Sequence, residues 1–233
     1  MTLGAFFDVV VETFNRTEGC LEPNCRNGMI LLVEITSLLI HKRGKGFFLP
    51  AHGRGIALPK DLKRLLRKRP GLWDLPELED IGSPLDDKGA VAQSQVKSAL
   101  SFGAERCWYG VNGATGLLQA GLFSMLRPGE AVLLPRNIHR SLIDACLLGD
   151  FLPVMFDLPY KNDRGHAFPA DKTWLKKVLE EISNKGIKVS AAVLVHPTYH
   201  GYASDISSLV NLLHDFGLPV LVDEAHGAHF AIG

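Results

Sequence analysis

The feature that most constrains the fold of this 233-residue chain is a short apolar run that ends abruptly in ionisable side chains. The run is Pro219–Val222, and Asp223, Glu224, His226 and His229 follow it. An uninterrupted apolar run is typical of a strand that helices cover on both faces, as in a parallel sheet. Because ligands of open α/β sheets collect outside the carboxyl ends of the strands, we expect Asp223 to face a ligand.

Short β-rich runs alternate with helical patterns over the second half of the chain. The β-rich runs are Cys107–Val111, Ala131–Pro135, Leu152–Phe156, Ala191–Val195 and Pro219–Val222. The helical patterns are Thr115–Leu126, His139–Leu148, Lys172–Ser183 and Ile206–Phe216, preceded by one at Ala90–Leu100. This alternation predicts an α/β fold with a mainly parallel sheet and right-handed crossovers.

The first part of the chain carries different patterns. Met29–Ile40 predicts a helix, and the basic stretch Lys60–Arg69 predicts a helix with a solvated face. Trp73–Pro84 is acidic and rich in proline, which predicts an irregular segment. The regular alternation of strands and helices therefore begins only after these segments.

Charge and cysteine usage indicate a small partner and a reducing compartment. Lys+Arg and Asp+Glu both number 25, so no excess charge favours nucleic acid or an anionic membrane. We find neither a secretory signal nor a membrane span, and the four cysteines form no C-x-x-C pair. We therefore expect reduced thiols, a small-molecule partner and a cytoplasmic location.

Polar or Gly-rich turns follow four of the predicted strands. They read NGATG after Val111, RNIHRS after Pro135, HPTYHG after Val195 and DEAHG after Val222. Small residues before a helix leave backbone N–H groups exposed at its positive end, so Asn112–Gly116 suits a phosphate. An ordinary N-capped turn fits the same pattern.

His139 and Asp223 add two further kinds of group to these turns. His139 could stack on a ring, transfer a proton or fill the core. A carboxylate at a strand end can pair with a heterocyclic nitrogen and keep it protonated, which makes the ring an electron sink. A phosphate turn, an imidazole and an acid are together the groups that an aromatic phosphate ester needs.

A metal site is the competing interpretation of the same stretch. Asp223, Glu224, His226 and His229 are ligand types that metals accept, and the two histidines have H-x-x-H spacing. However, no further paired ligands occur at a matching spacing, and a metal would leave the turn Asn112–Gly116 unexplained. These residues therefore favour a phosphorylated ring over a metal.

A series of motifs in order along the chain resembles one known family. They are AHGRG at 51–55, DLPEL at 74–78, FGA at 102–104, VNGATG at 111–116, PRNIHRS at 135–141, HPTYHG at 196–201 and VDEAHGAHF at 222–230. From about Leu39 to its last residue the chain resembles the Orn/Lys/Arg decarboxylase family, and DLPEL is most similar to the cyanobacterial and plant branch. The resemblance implies an aminotransferase-like large domain of fold type I, with a mainly parallel sheet covered by helices, that binds pyridoxal 5'-phosphate (PLP).

The resemblance implies how the PLP phosphate is held. Ala114 and Thr115 would bind the phosphate, and Gly116 would allow its close approach. Ala114 stands where the family usually has serine, so Thr115 would supply the hydroxyl of this turn. Thr198 would line the same pocket.

The resemblance also implies which residues contact the PLP ring. His139 would stack on the pyridine ring, Asp223 would pair with its nitrogen, and His226 would lie near the ring hydroxyl. These three residues are therefore the candidate catalytic residues, and no residue is assigned to a metal.

The activity that the resemblance implies is PLP-dependent decarboxylation of lysine, ornithine or arginine in polyamine metabolism, by a homodimer or larger homo-oligomer. A plant source would make the plastid a further location. Residues 1–89 would form an amino-terminal arm and connecting segment, and residues 90–233 an incomplete PLP-binding large domain. The family binds PLP covalently through a lysine in an S-x-H-K motif downstream of DEAHGAHF, and no lysine follows Lys188 here. We therefore expect this chain to be a fragment that is inactive alone.

Two alternatives stay open at this point. DEAHG also occurs in acyl-CoA-condensing PLP enzymes, so a condensing or transaminase-like reaction on the same fold is compatible with the motifs. A catalytically dead, truncated subunit that pairs with a full-length one is the other alternative. Turnover of a basic amino acid would distinguish the decarboxylase from both.

Overall fold

The computed structural model of the protein describes residues 58–67, 72 and 75–231. They belong to two compact units, one with the described residues up to 83 and residues 88–90, the other with residues 84–87 and those from 91 onward. The first unit contains a short helix, α1 (Lys60–Leu66), within the predicted basic stretch. The helix predicted at Met29–Ile40 lies outside the described residues.

From residue 113 onward the remaining elements alternate between helix and strand, as predicted, except for one added pair of two-residue strands. In chain order they are α2 (Gly89–Ser101), α3 (Gly113–Met125), β1 (Ala131–Pro135), α4 (Arg140–Gly149), β2 (Leu152–Phe156), β3 (Tyr160–Lys161), β4 (His166–Ala167), α5 (Lys172–Asn184), β5 (Ala191–Val195), α6 (Ile206–Asp215), β6 (Val220–Asp223) and a 3-10 helix (Ala228–Ala231).

The larger unit is built on a four-stranded sheet in the order β2-β1-β5-β6, in which every neighbouring pair is parallel. This arrangement confirms the predicted mainly parallel sheet. The register pairs Val195, the last residue of β5, with Asp223, the last residue of β6. The turns that follow β5 and β6 therefore start side by side at one edge of the sheet.

Helices cover the sheet on both faces because the side chains of each strand alternate in direction. All five residues of β1 are buried. Leu133 packs with residues of α5 and α6, whereas Val132 and Leu134 pack with residues of α3 and α4. The wholly apolar sequence of β1 thus reflects two apolar layers rather than one, as expected for a parallel sheet.

Three of the covering helices begin at residues whose side chains cap the first turn. His139 caps α4, Asp171 caps α5 and Asp205 caps α6. Ser208 donates both its hydroxyl and its backbone N–H to the Asp205 carboxylate, and these hydrogen bonds lower the pKa of that carboxyl below its usual value. Such caps satisfy N–H groups that have no partner within the helix.

The strand predicted at Cys107–Val111 was wrong. This stretch has no regular structure, and a side chain of α2 takes one of the backbone hydrogen bonds that a neighbouring strand would make. The backbone N–H of Tyr109 donates to Gln95 Oε1 at 2.8 Å, and the Tyr109 hydroxyl lies 2.7 Å from the hydroxyls of Ser94 and Ser98. An apolar run becomes a strand only when another strand pairs with it.

Two further features of the described residues concern membrane-spanning helices and the state of the cysteines. Within the described ranges, no helix combines the length and apolar character that crossing a bilayer requires. The two cysteines in those ranges, Cys107 and Cys146, are free thiols. Burial raises the pKa of the Cys146 thiol, and this side chain packs among apolar residues of α3 and α4.

Candidate functional site

A cavity of about 300 Å³ opens at the carboxyl edge of the sheet. Its walls come from the start of α3 and from the ends of β1, β5 and β6 or the turns that follow them. The lining residues are Ala114, Thr115, Leu118, Asn137, Ile138, His139, Arg140, Val195, Pro197, Tyr199, Asp223, Ala225 and His226. Most of the site residues predicted from sequence are therefore side by side, and only Gly116 and Thr198 are not part of the lining.

The start of α3 forms one wall of the cavity and leaves its first backbone N–H groups without a side-chain cap. Asn112 is the N-cap residue, but its side chain makes no capping hydrogen bond. Gly113 has a φ of +64°, a conformation that favours glycine. A Cβ at Gly116 would lie 2.8 Å from the Cβ of Asn112, so a side chain there would push this turn open. The two glycines thus shape the turn while Ala114 and Thr115 line the cavity.

His139 also lines the cavity, and one edge of its ring is held in place. Its Nδ1 accepts the backbone N–H of Ser141 at 3.2 Å and lies 2.8 Å from the Ser141 hydroxyl. Ser141 is buried, so it fixes the ring to the start of α4. Because Nδ1 is an acceptor, the neutral ring carries its proton on Nε2. The capping bond therefore sets both the orientation and the tautomer of the imidazole.

Among the described residues, Asp223 is the only acidic residue that is buried, with 7% of its surface exposed. Its Oδ1 accepts the backbone N–H of Ala225 at 3.1 Å, and its own carbonyl oxygen accepts the backbone N–H of His196 at 3.0 Å. These bonds hold the carboxylate at the end of β6. A buried carboxylate needs a charged or hydrogen-bonding partner, and the cavity beside it offers room for one.

Of the two other predicted residues, His226 lines the cavity and Thr198 does not. His226 lines it and makes an edge-on contact with Tyr199, with ring centroids 5.3 Å apart. Thr198 is buried, but its hydroxyl accepts the backbone N–H of Tyr202 at 3.2 Å and belongs to the turn after β5. The neighbours Pro197 and Tyr199 take its place in the lining.

Asn137 and Arg140 line the cavity but were not singled out from the sequence. The Asn137 Oδ1 atom is buried and receives no hydrogen bond within the described part of the chain. Arg140 pairs with Asp144 at 3.7 Å and adds positive charge beside His139. Both residues belong to the motif that carries His139, so a search of its whole turn would have found them.

The four residues of the competing metal interpretation do not come together. Glu224 is hydrogen-bonded to His196, and His229 packs its ring against Phe230 with centroids 4.3 Å apart. Over the described ranges, no group of three or more His, Cys, Asp or Glu side chains is arranged to hold a metal ion. Asp223 and His226 remain at the cavity without these two neighbours.

Solved structures with the same architecture define the fold. The constitutive lysine decarboxylase of Escherichia coli superposes with a TM-score of 0.57 at 20% identity, over 84% of this chain and 29% of that one. A SepCysS–SepCysE N-terminal domain complex gives a TM-score of 0.55 at 18% identity, over 71% of this chain and 41% of the other. The fold is thus the aminotransferase-like fold of type I.

The sequence comparison then identifies the family. Residues 38–233 match the major domain of the Orn/Lys/Arg decarboxylases, and this chain belongs to that family. The arginine decarboxylase of Bacillus subtilis is 32% identical over 78% of this chain and 36% of its own length. The arginine decarboxylase of Bacillus anthracis is 31% identical over 83% of this chain and 39% of its own length. The chain therefore spans less than half the length of these relatives.

The cofactor of this family is PLP, and the cavity residues fit its chemistry. The uncapped first turn of α3 and the Thr115 hydroxyl offer donors to a phosphate. Asp223 offers a buried carboxylate to a ring nitrogen, and His139 offers a fixed aromatic face. Phosphate donors, an aromatic surface and an acid thus line one cavity of about 300 Å³, a size typical of small-molecule sites.

Proposed function

We propose that this chain forms the cofactor-binding part of a PLP-dependent decarboxylase that removes CO2 from a basic amino acid. The observation that carries the proposal is the buried Asp223 carboxylate, which lines the same cavity as the uncapped start of α3. Curated relatives include arginine, lysine and ornithine decarboxylases, which supports a basic amino acid as substrate.

The start of α3 is proposed to bind the PLP phosphate. The N–H groups of the first helical turn point out of the helix and carry partial positive charge. Thr115 adds a hydroxyl donor, and Ala114 keeps the wall small. Gly116 contributes by letting the turn close on itself rather than by contacting the ligand.

Asp223 and His139 are proposed to act on the PLP ring. A carboxylate beside the pyridine nitrogen favours its protonated form by charge pairing. When bound, PLP supplies an electron sink for the pair of electrons released as the bond to CO2 breaks, and a protonated ring is the better sink. His139, held by Ser141, would keep the ring parallel to its own imidazole face.

Other assignments from the family resemblance also remain proposals. His226 would lie near the ring hydroxyl, because it lines the cavity beside Asp223. Thr198 would act through the shape of the turn after β5, since its hydroxyl is bonded to Tyr202. We also propose a homodimer or larger homo-oligomer, a role in polyamine metabolism and a cytoplasmic or plastid location.

The proposed activity is tested in the full-length enzyme, by which we mean residues 1–233 within a polypeptide of the length its relatives have. Release of CO2 from arginine, lysine and ornithine is measured with and without PLP. The bound cofactor is then reduced with borohydride and the labelled lysine is mapped. PLP-dependent release from one or more of these substrates supports the proposal, and turnover of other amino acids alone would contradict it.

Residues 1–233 without further chain are expected to release no CO2 from these amino acids. No lysine is present among the described residues that line the cavity, so PLP has no amine there with which to form its covalent bond. Borohydride reduction should therefore give no stoichiometric labelling of a single lysine. Stoichiometric labelling together with turnover would show that another lysine of this chain reaches the cavity.

Thr115→Ala is expected to weaken PLP retention by about tenfold, because it removes one hydroxyl donor to a doubly charged phosphate. The absorption spectrum of the bound cofactor should stay the same, since the ring contacts are untouched. The dissociation constant is measured by titrating apoenzyme with PLP. Thr173→Ala, an exposed threonine on α5, is the matched control and should leave the dissociation constant unchanged.

A further inference from the structure

His196 is a buried histidine just behind the candidate site, and both of its ring nitrogens contact oxygen atoms. Its Nδ1 lies 2.9 Å from Glu224 Oε1, and its Nε2 lies 3.2 Å from the carbonyl oxygen of Ser204. The ring is 7% exposed and the Glu224 side chain 40% exposed. His196 and Glu224 are absent from the cavity lining, so neither contacts a ligand there directly.

The two ring contacts of His196 hold the imidazole between Glu224 and the backbone at Ser204. Both partner atoms are acceptor oxygens, so a ring nitrogen that carries a proton donates to one of them. The Nδ1 contact with Glu224 is the shorter of the two, at 2.9 Å against 3.2 Å. A ring N–H that donates to the Glu224 carboxylate makes a charge-assisted and therefore strong hydrogen bond.

This pair joins the two turns that place Asp223. The backbone N–H of His196 donates to the carbonyl oxygen of Asp223 at 3.0 Å, and Glu224 is the next residue along the chain. A Cβ at Gly227 would lie 2.8 Å from the carbonyl oxygen of His196 and 2.7 Å from Cδ of Pro197. The turn after β6 therefore rests directly on the turn after β5, and the side chains of His196 and Glu224 connect the two.

We propose that His196 and Glu224 are positioning residues that hold the Asp223 carboxylate in line with the pyridine nitrogen of PLP. The inference rests on the proposed role of Asp223 and deepens it. Within the described part of the chain, one hydrogen bond reaches the Asp223 side chain, from the N–H of Ala225, and that N–H belongs to the same turn. The orientation of the carboxylate therefore depends on the orientation of the turn, which the hydrogen bond between His196 and Glu224 fixes from behind.

A purely stabilising role explains this pair less well. A histidine–carboxylate pair that is buried on one side adds little net stability, because desolvation of the carboxylate offsets most of the attraction. Groups that orient metal-binding side chains, by contrast, typically change metal affinity or activity by about 10- to 100-fold when removed, and we expect an effect of the same order for groups that orient Asp223. The position of the pair at the two turns, away from the apolar clusters, agrees with an orienting role.

The experiment uses the full-length enzyme with PLP labelled with 15N in the pyridine ring. The 15N chemical shift reports whether the ring nitrogen of the bound cofactor is protonated, and loss of global stability does not by itself move it. Glu224→Ala should shift this resonance toward the unprotonated value and weaken PLP affinity by about tenfold. Glu224→Gln keeps a hydrogen bond to His196 without the charge, and should weaken affinity by only about two- to threefold.

Glu180→Ala is the matched control, because Glu180 forms an exposed ion pair with Lys176 on α5, and it should change neither quantity. If Glu224→Ala keeps the wild-type 15N shift and PLP affinity, and Asp223→Asn moves the shift, the positioning role is overturned and the proposed function stands. No change in Asp223→Asn would instead overturn the proposed function itself. If Glu224→Ala does not fold, Glu224→Gln decides alone: the expected loss supports the proposal, and wild-type values contradict it.

Discussion

Asp223→Asn in the full-length enzyme is expected to lower kcat for decarboxylation by about 100-fold or more. An asparagine keeps nearly the same shape but has no negative charge, so it cannot favour the protonated pyridine ring. Losing one electrostatic partner that acts on the developing charge commonly costs about 3 kcal/mol in the barrier, which corresponds to this factor. The rate is measured as CO2 release under saturating substrate and PLP.

The fold of the Asp223→Asn variant should be retained. The contact that Asp223 makes with the N–H of Ala225 uses Oδ1 as an acceptor, and an asparagine oxygen can accept the same bond. The backbone bond from His196 does not involve the side chain at all. An unchanged melting temperature together with a large fall in kcat would therefore separate the electrostatic effect from a loss of structure.

Asp157→Asn is the matched control for this prediction. Asp157 also follows a strand of the sheet, β2, but it is exposed, pairs with Arg136 and is not among the residues that line the cavity. Its substitution should leave kcat within a factor of two of the parent. Equal losses in both variants, or parental activity in Asp223→Asn, would show that the role assigned to Asp223 is wrong.

The parts of the fold that could be predicted from sequence are those in which local pattern and tertiary environment agree. β1, β2 and β5 have the bounds that the apolar runs predicted. β1 and β5 are buried on both faces and have no polar positions, so their ends coincide with the ends of their apolar runs. β2 lies at the edge of the sheet and is mostly exposed, so this reason does not apply to it. The capped helix α6 likewise begins at the predicted residue, and the capped helix α4 begins one residue after the predicted start.

The errors in the fold come from contacts that a local pattern does not contain. Cys107–Val111 has the composition of a strand, but Gln95 on α2 takes the N–H of Tyr109. The antiparallel pair β3 and β4 was not predicted, because each strand is only two residues long and shows no periodicity. Both cases depend on a partner elsewhere in the chain rather than on the residues themselves.

The candidate site was predictable for a geometric reason, and its supporting contacts were not. Parallel strands end at one edge, so polar turns after β1, β5 and β6 had to come close together. The bond between His196 and Glu224, by contrast, joins residues 28 positions apart, and no spacing rule connects them. Thr198 shows the same limit, since its hydroxyl is bonded within its own turn instead of facing the cavity.

Leu133→Ala is expected to destabilise residues 1–233 by about 2–5 kcal/mol, which is the cost of truncating a fully buried leucine and leaving a cavity. Leu133 is 0% exposed and lies at the middle of β1, between β2 and β5, where it packs with α5 and α6. The free energy of unfolding is measured by urea denaturation followed by far-UV circular dichroism. Because the turns of the candidate site extend from this sheet, the same variant should also retain PLP less well at elevated temperature.

Leu147→Ala is the matched control, because Leu147 lies on the exposed side of α4 with 77% of its surface accessible. Its free energy of unfolding should stay within about 0.5 kcal/mol of the parent. Similar losses in the two variants would mean that β1 is not the centre of the packed core.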